Sequence, residues 1–277
     1  MINTQLHQII GVASTLALVT ALSSAKVVRS QPAAIANPSL VAIQFNPPAA
    51  LPPPPVVNDP GSGRSQGGAG RGCGNRPEEL PTPLVPLATG SKNVRWGLTN
   101  TDRPTFWLHT PKGIKDGALI VLVLQDGIGK TSHRLTFQIP PHSPSAVLSL
   151  PIPATAPPLQ ANTLYRWEIR LFCNSGNSAL AEPSIDIPII FKGGIQRTTL
   201  SAKRQRQLET VRTPLDRATF YANNGIWYDA LTTLGVQVQG KQSIDSAISR
   251  AWSDLLCQAN LQPVTTSSIA PCCKSEE

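Results

Sequence analysis

Between Leu164 and Cys173 the chain alternates strictly. Tyr165, Trp167, Ile169, Leu171 and Cys173 fall at one parity, and Arg166, Glu168 and Arg170 at the other. Successive side chains leave a strand on opposite sides, so this period of two commits the stretch to a β-strand with one buried and one wet face. A lone strand is not stable in water, and it demands a sheet. Partner strands are predicted at Leu84–Ala88, Val94–Leu98, Thr105–His109, Ala118–Leu124, His133–Ile139, Ala146–Leu150 and Ile185–Phe191. Short strands between regularly spaced turn signals predict an antiparallel β-sandwich. Asp126-Gly127 marks a hairpin, because such turns need positive φ.

Leu159 stands six residues before Tyr165, with a loop between them. This resembles the tyrosine corner of immunoglobulin-like and fibronectin type III sandwiches, in which the hydroxyl ties back to an upstream backbone group. Leu159, Tyr165 and Trp167 are therefore expected to be structural. On the Thr105–His109 strand, Phe106 and Leu108 share one face, and Trp107 and His109 the other. Trp107 and His109 form a candidate exposed binding spot, the alternative being that the tryptophan covers core.

Beyond residue 192 the pattern turns helical. Thr213-Pro214 supplies a capping hydroxyl and a first-turn proline. Leu215, Ala218, Thr219 and Ala222 follow at helical spacing, and Gly225 is the expected stop. Trp227, Ala230, Leu231 and Leu234 repeat that spacing up to Gly235. Ser243 is the expected cap of a further helix striped by Ile244, Ala247, Ile248, Ala251 and Leu255. Tyr221, Gly225, Trp227, Ala230 and Leu234 resemble one tetratricopeptide repeat, with no second copy after it. A single repeat cannot bury its own face, so this hairpin is expected to dock on its neighbours. Trp227 and Tyr228 are candidate contacts of the hairpin.

The first quarter of the chain has another character. Ile9 to Leu22 is an uncharged apolar run ending at Ser23-Ser24-Ala25. This reads as a secretory signal peptide over residues 1–25, with an uncleaved anchor as the alternative. Residues 26–72 carry the proline runs Pro47-Pro48 and Pro52 to Pro55, then a Gly/Ser/Arg-rich stretch, and read as a disordered tether. The expected organisation is then a β-sandwich over 73–192, a tail of three or four short helices over 193–263, and a cysteine-bearing end over 264–277.

The formal charge is +8, and charged residues make up only 14% of the chain. A basic balance favours anionic partners. It is densest at Lys203, Arg204, Arg206, Arg212 and Arg217, a cluster suited to anionic glycan or lipid, or else a solvated helix face. No nucleic-acid motif is present and export argues against that role.

The five cysteines, Cys73, Cys173, Cys257, Cys272 and Cys273, are disulfide candidates in an oxidising compartment. Cys73 opens the sandwich and Cys173 ends its best strand, and the two are expected to pair. Cys257 bonded to Cys272 or Cys273 would clamp the C-terminus, and the odd thiol leaves a disulfide-linked dimer open beside a monomer. No Cys-x-x-Cys pair supports a metal site, and no cofactor motif stands out. Gly129-Lys130-Thr131 lacks the earlier glycine of a phosphate loop, since Leu124 occupies its place. No catalytic residues are assigned. A hydrolase acting on envelope polymer through acids such as Asp116, Asp126 or Glu168 remains the enzymatic alternative.

Pro104-Thr105-Phe106-Trp107, Leu164-Tyr165-Arg166-Trp167 and the string Gly225-Ile226-Trp227-Tyr228-Asp229-Ala230-Leu231 carry a resemblance spanning Cys73 to Cys273. The chain resembles a family of exported cyanobacterial proteins, the domain of unknown function number 928. The resemblance implies an envelope location and supplies no activity, ligand or site residue. The expected function is a non-enzymatic binding or structural module of the cell envelope, in the periplasm or beyond. Its partner is an envelope protein or an anionic glycan or lipid. A secretion or assembly factor acting through the helical hairpin is the further alternative.

Overall fold

The computed structural model describes residues 42–48, 66–67, 79–89, 91, 94–114, 118–139, 146–173, 188–239, 244–261, 264, 269–270 and 275–276. The strands are β1 (Gln66–Gly67), β2 (Thr82–Pro83), β3 (Arg95–Thr99), β4 (Thr105–Thr110), β5 (Leu119–Gln125), β6 (Thr131–Gln138), β7 (Ala146–Pro151), β8 (Leu164–Phe172), β9 (Ile189–Arg197), β10 (Ile269–Ala270) and β11 (Ser275–Glu276). The helices are α1 (Ala202–Thr210), α2 (Pro214–Asn223), α3 (Trp227–Val238) and α4 (Ser246–Gln258). The alternating stretch becomes β8, with Tyr165, Trp167, Ile169 and Leu171 buried and the residues between them half-buried.

One sheet runs β1-β9-β8-β5-β6-β11, with β3 also on β9, and the second runs β10-β7-β4-β2. The fold is mainly β with a helical tail, and the two sheets share one core, in which Phe106 of β4 meets the edge of Trp167 of β8. The sheets are mixed, not purely antiparallel as expected, because β3 pairs parallel to β9 and β10 parallel to β7. The expected first strand, Leu84–Ala88, is mostly irregular. Within it there is one bridge, from Leu87 to Arg95, and the short strand β2, which pairs with β4, lies just before it.

The last long strand differs most from expectation. It was expected to end at Phe191, yet β9 continues through Gly193-Gly194 to Arg197, past the sandwich boundary at 192. Paired glycines ordinarily weaken a strand. Here Gly193 lies opposite Trp167 and Gly194 opposite Trp96, on the two faces of the sheet. Each indole lies over the bare backbone of its glycine. The glycines are spaces for tryptophans, and the sheet continues through them.

α2 starts as expected, with Thr213 as cap accepting from the Asp216 N–H and Pro214 in the first turn. α3 does not stop at Gly235 but runs on to Val238. A Cβ at Gly235 would stand 2.6 Å from the Trp107 ring, so this glycine admits a neighbour and does not end the helix. α4 is capped by Asp245, whose carboxylate accepts from the Ala247 and Ile248 N–H groups, and not by Ser243. The α3–α4 pair lies over β4, so both faces of that strand are buried. Among the described residues no helix is long and apolar enough to cross a membrane.

Residues 42–48 fall within the stretch read as a disordered tether, but they are docked on the helices. Ile43 is buried, and Phe45 meets Trp227 edge-on with ring centroids 5.0 Å apart. Proline-flanked composition hid two apolar anchors at alternate positions.

Candidate functional site

The described structure places the chemistry-bearing side chains in three settings. Most are structural. Trp107 and His109 were a candidate exposed spot, with a core tryptophan as the alternative; they are 1% and 5% exposed, as the alternative has it. Trp107 donates its indole N–H to Thr232 Oγ1 at 3.0 Å and packs edge-on to Trp252. The exposed-spot reading fails because α3 and α4 cover that face of β4, a layer that alternation alone cannot reveal. Trp227 and Tyr228 are likewise buried, with Trp227 donating to the Leu84 carbonyl at 2.8 Å. The Tyr165 hydroxyl accepts from the Gln160 N–H at 3.0 Å, beside the buried Leu159.

Burial holds the His109 imidazole below its ordinary pKa of 6.5. The unfolded chain then binds a proton at this residue more readily than the folded one. Its contribution to stability is full above about pH 6.5 and is lost as pH falls toward the lowered folded value. Urea unfolding is expected to show stability declining below about pH 6.5, and His109→Gln to flatten that decline. An unchanged slope in the variant would assign the decline to other groups.

Asp229 was legible in the sequence only as one member of the Gly225–Leu231 string, with no role assigned to it, and it looks there like an ordinary first-turn acid of α3. Its carboxylate is buried and reaches out of the helix. It accepts from Thr99 Oγ1 at 2.8 Å, the Asn100 N–H at 2.9 Å and the Thr101 N–H at 3.2 Å. Burial pushes its pKa up, against the pull of those donors. The residue staples α3 to the end of β3. The carboxylates named for a hydrolase are similarly engaged. Asp126 accepts from the Ile128 and Lys130 N–H groups of its turn, and Glu168 is ion-paired with Arg170 and Lys192. Asp116 lies outside the described residues.

Cys173 is buried and disulfide-bonded, its partner lying outside the described residues. Cys257 is a free, exposed thiol on α4, so the expected clamp through it is not made. Cys73, Cys272 and Cys273 lie outside the described residues, as do the whole 1–25 leader and the hydroxyl once expected to cap α4.

The remaining setting is the basic face. α1 is built from good helix formers, and Ser201 caps it by accepting from the Arg204 N–H at 3.4 Å. Only Leu208 of this helix is buried, which leaves Lys203, Arg204 and Arg206 in solvent. Arg212 and Arg217 follow, both exposed. Against these five bases the segment carries two acids, Glu209 and Asp216. Asp216 is held at the start of α2 by the Thr213 hydroxyl, which donates to it at 2.7 Å. None of the five bases forms an ion pair with a described carboxylate. Arg212 and Arg217 border an open hollow of about 360 Å³ between the start of α2 and the middle of α3, with Thr232, Thr233, Val236 and Gln237 opposite. Val236 is 48% exposed there. The α2 side of this hollow was legible as a charge cluster, but the α3 side needed the pairing of two helices.

Such a face can hold an anion through charge and hydroxyl donors, with an apolar contact at Val236. Among the described residues, no group of His, Cys, Asp and Glu is placed to hold a metal ion. No curated protein matches the chain. The family model described as Domain of Unknown Function (DUF928) matches residues 66–269, from β1 through the helical tail to β10. Sheets and tail are thus covered by a single family domain, and the chain belongs to the DUF928 family.

Proposed function

We propose that this chain is an exported, non-enzymatic binding protein of the cell envelope, and that its basic α1–α2 face holds an anionic envelope glycan. One observation carries the reading: five exposed bases, Lys203, Arg204, Arg206, Arg212 and Arg217, follow one another without carboxylate partners in the described structure. Charges of one sign this close along the chain, without carboxylate partners, sum to a local potential that dispersed charges do not produce. The apolar run before Ala25 supports export, and the proposed Cys73–Cys173 bridge suits an oxidising compartment. The Tyr165 tie supports an immunoglobulin-like reading of the sandwich, and the turn at Gly225 a tetratricopeptide-like reading of the hairpin. Trp227 and Tyr228 act in this reading as core, and the contact surface is the charged one.

The test is retention of the purified chain on a sulfated or uronic-acid glycan column as salt is raised, with phosphatidylglycerol vesicles in parallel. The triple variant Lys203→Glu/Arg204→Glu/Arg206→Glu is expected to bind the glycan on the order of 10-fold more weakly or worse, with a shallower salt dependence. Equal retention of variant and parent would remove the proposal. Loss confined to the vesicles would move the ligand from glycan to lipid.

A further inference from the structure

The residues docked ahead of the sheets have the form of a bound peptide. Ala42, Gln44 and Asn46 are exposed while Ile43 is buried and Phe45 partly so, the alternation of an extended segment. Its backbone is gripped by one side chain. The Phe45 N–H donates to Gln258 Oε1 at 2.8 Å, and Gln258 Nε2 donates to the Ile43 carbonyl at 2.8 Å. A side-chain amide on α4 thus makes the pair of bonds that a neighbouring strand would make. The Asn46 N–H donates to the Ala222 carbonyl at 3.1 Å, and Asn46 Nδ2 to the Asn223 carbonyl at 3.3 Å, at the open end of α2.

The seat is shaped for this. Gly225 has φ +71, and a Cβ there would lie 2.7 Å from the Asn46 carbonyl oxygen and 2.9 Å from Pro48 Cδ. The glycine therefore serves the α2–α3 turn and also admits the segment. Phe45 covers Trp227, whose indole forms the floor. Two apolar anchors, a backbone grip and a proline stop are the parts of short-motif recognition. The seventeen residues from 49 to 65 separate the segment from β1. Extended, they reach roughly 55 Å, enough to cross from one copy of the domain to another.

We propose that the groove formed by α2, the Gly225 turn and α4 is a peptide-recognition site, that residues 42–48 are its ligand, detachable without unfolding the domain, and that the same segment of a second copy can replace it. The motif it reads is an extended Ile-x-Phe-Asn-Pro. In the single chain the segment competes at the effective concentration of a tethered ligand, on the order of millimolar, and so masks the site.

Two measurements test this. The first adds a synthetic peptide spanning Leu40 to Pro48 to the full chain and to the variant Ile43→Ala/Phe45→Ala, following the emission of Trp227 and its neighbours. Saturable binding to the variant, at least about 10-fold tighter than to the parent chain, is expected. A peptide with alanine in place of Phe45 should fail, and Gln258→Ala in the receptor should weaken binding. The second needs no variant. Hydrogen exchange at the Phe45 and Asn46 amides should run on the order of 100-fold or more faster than at the amides of central strand β5, since a detachable ligand opens locally. Absence of peptide binding to a variant with native circular dichroism overturns the proposal. So does exchange at Phe45 and Asn46 as slow as in β5, which would make the segment an inseparable part of the core.

Discussion

Replacing Gly193 with alanine will destabilise the protein by about 3 kcal/mol or more, at the upper end of overpacking costs. The added methyl group would meet the Trp167 indole on one side and stand 2.8 Å from the Arg95 carbonyl oxygen on another. Neither can yield cheaply. Trp167 is fully buried beneath Phe106, and Arg95 is fixed by the parallel β3–β9 ladder. The comparison is Gly127→Ala in the β5–β6 turn, where an added Cβ meets nothing within 4 Å. That change should stay within about 0.5 kcal/mol. Urea midpoints of the two variants measure the difference, and similar midpoints would mean that β9 has room the structure does not show.

Trp227→Ala is expected to cost about 3–5 kcal/mol, the range for deleting a fully buried tryptophan. The loss has two parts. A large cavity opens between the helices and the Leu84 segment, and the Leu84 carbonyl loses the indole N–H that satisfies it at 2.8 Å. The same ring supports Phe45, so the docked segment should loosen too. Chemical unfolding gives the first effect, and faster exchange at the Phe45 amide gives the second. A cost below about 1 kcal/mol would show that the helices sit on the sheets without needing this residue as their hinge pin.

What could be read in the sequence was what local chemistry decides. The alternation in β8, the turn at Asp126 and the Thr213-Pro214 start of α2 each depend on residues within a few positions of one another, and each lies where it was expected, although the positive φ of the turn falls at Gly129 and not at Gly127. The errors share a different cause. The last strand was expected to end at Phe191, short of Gly193-Gly194, and the tryptophans that fill the places of those glycines come from strands 26 and 98 residues earlier. Gly235 looked like a helix stop because Trp107 was not known to lie against it. His109 looked solvent-facing because a strand's pattern says which residues share a face, not what lies over that face. At the candidate site the bases were legible as a run of like charge, and the hollow that Arg212 and Arg217 border was not. The segment at 42–48 shows the limit most clearly, since its two apolar anchors sit among prolines and are recognisable only with Gln258 and Trp227 in place.

The sheet order has a bearing on how such a chain stays dispersed. Leu119 to Leu124 is the segment richest in aliphatic side chains, the kind that zips into fibrils when an edge is left bare. It is set in the interior of its sheet, hydrogen-bonded to β8 on one side and β6 on the other. The outermost positions fall instead to the five-residue β3 and to two-residue pieces, β1, β2, β10 and β11, three of the latter drawn from the chain's outlying stretches. The two-residue edges offer a passing strand too few partners to extend the ladder. The outlying segments of this protein act as selvedge along part of each sheet's border, where a bare edge would otherwise invite another chain to join.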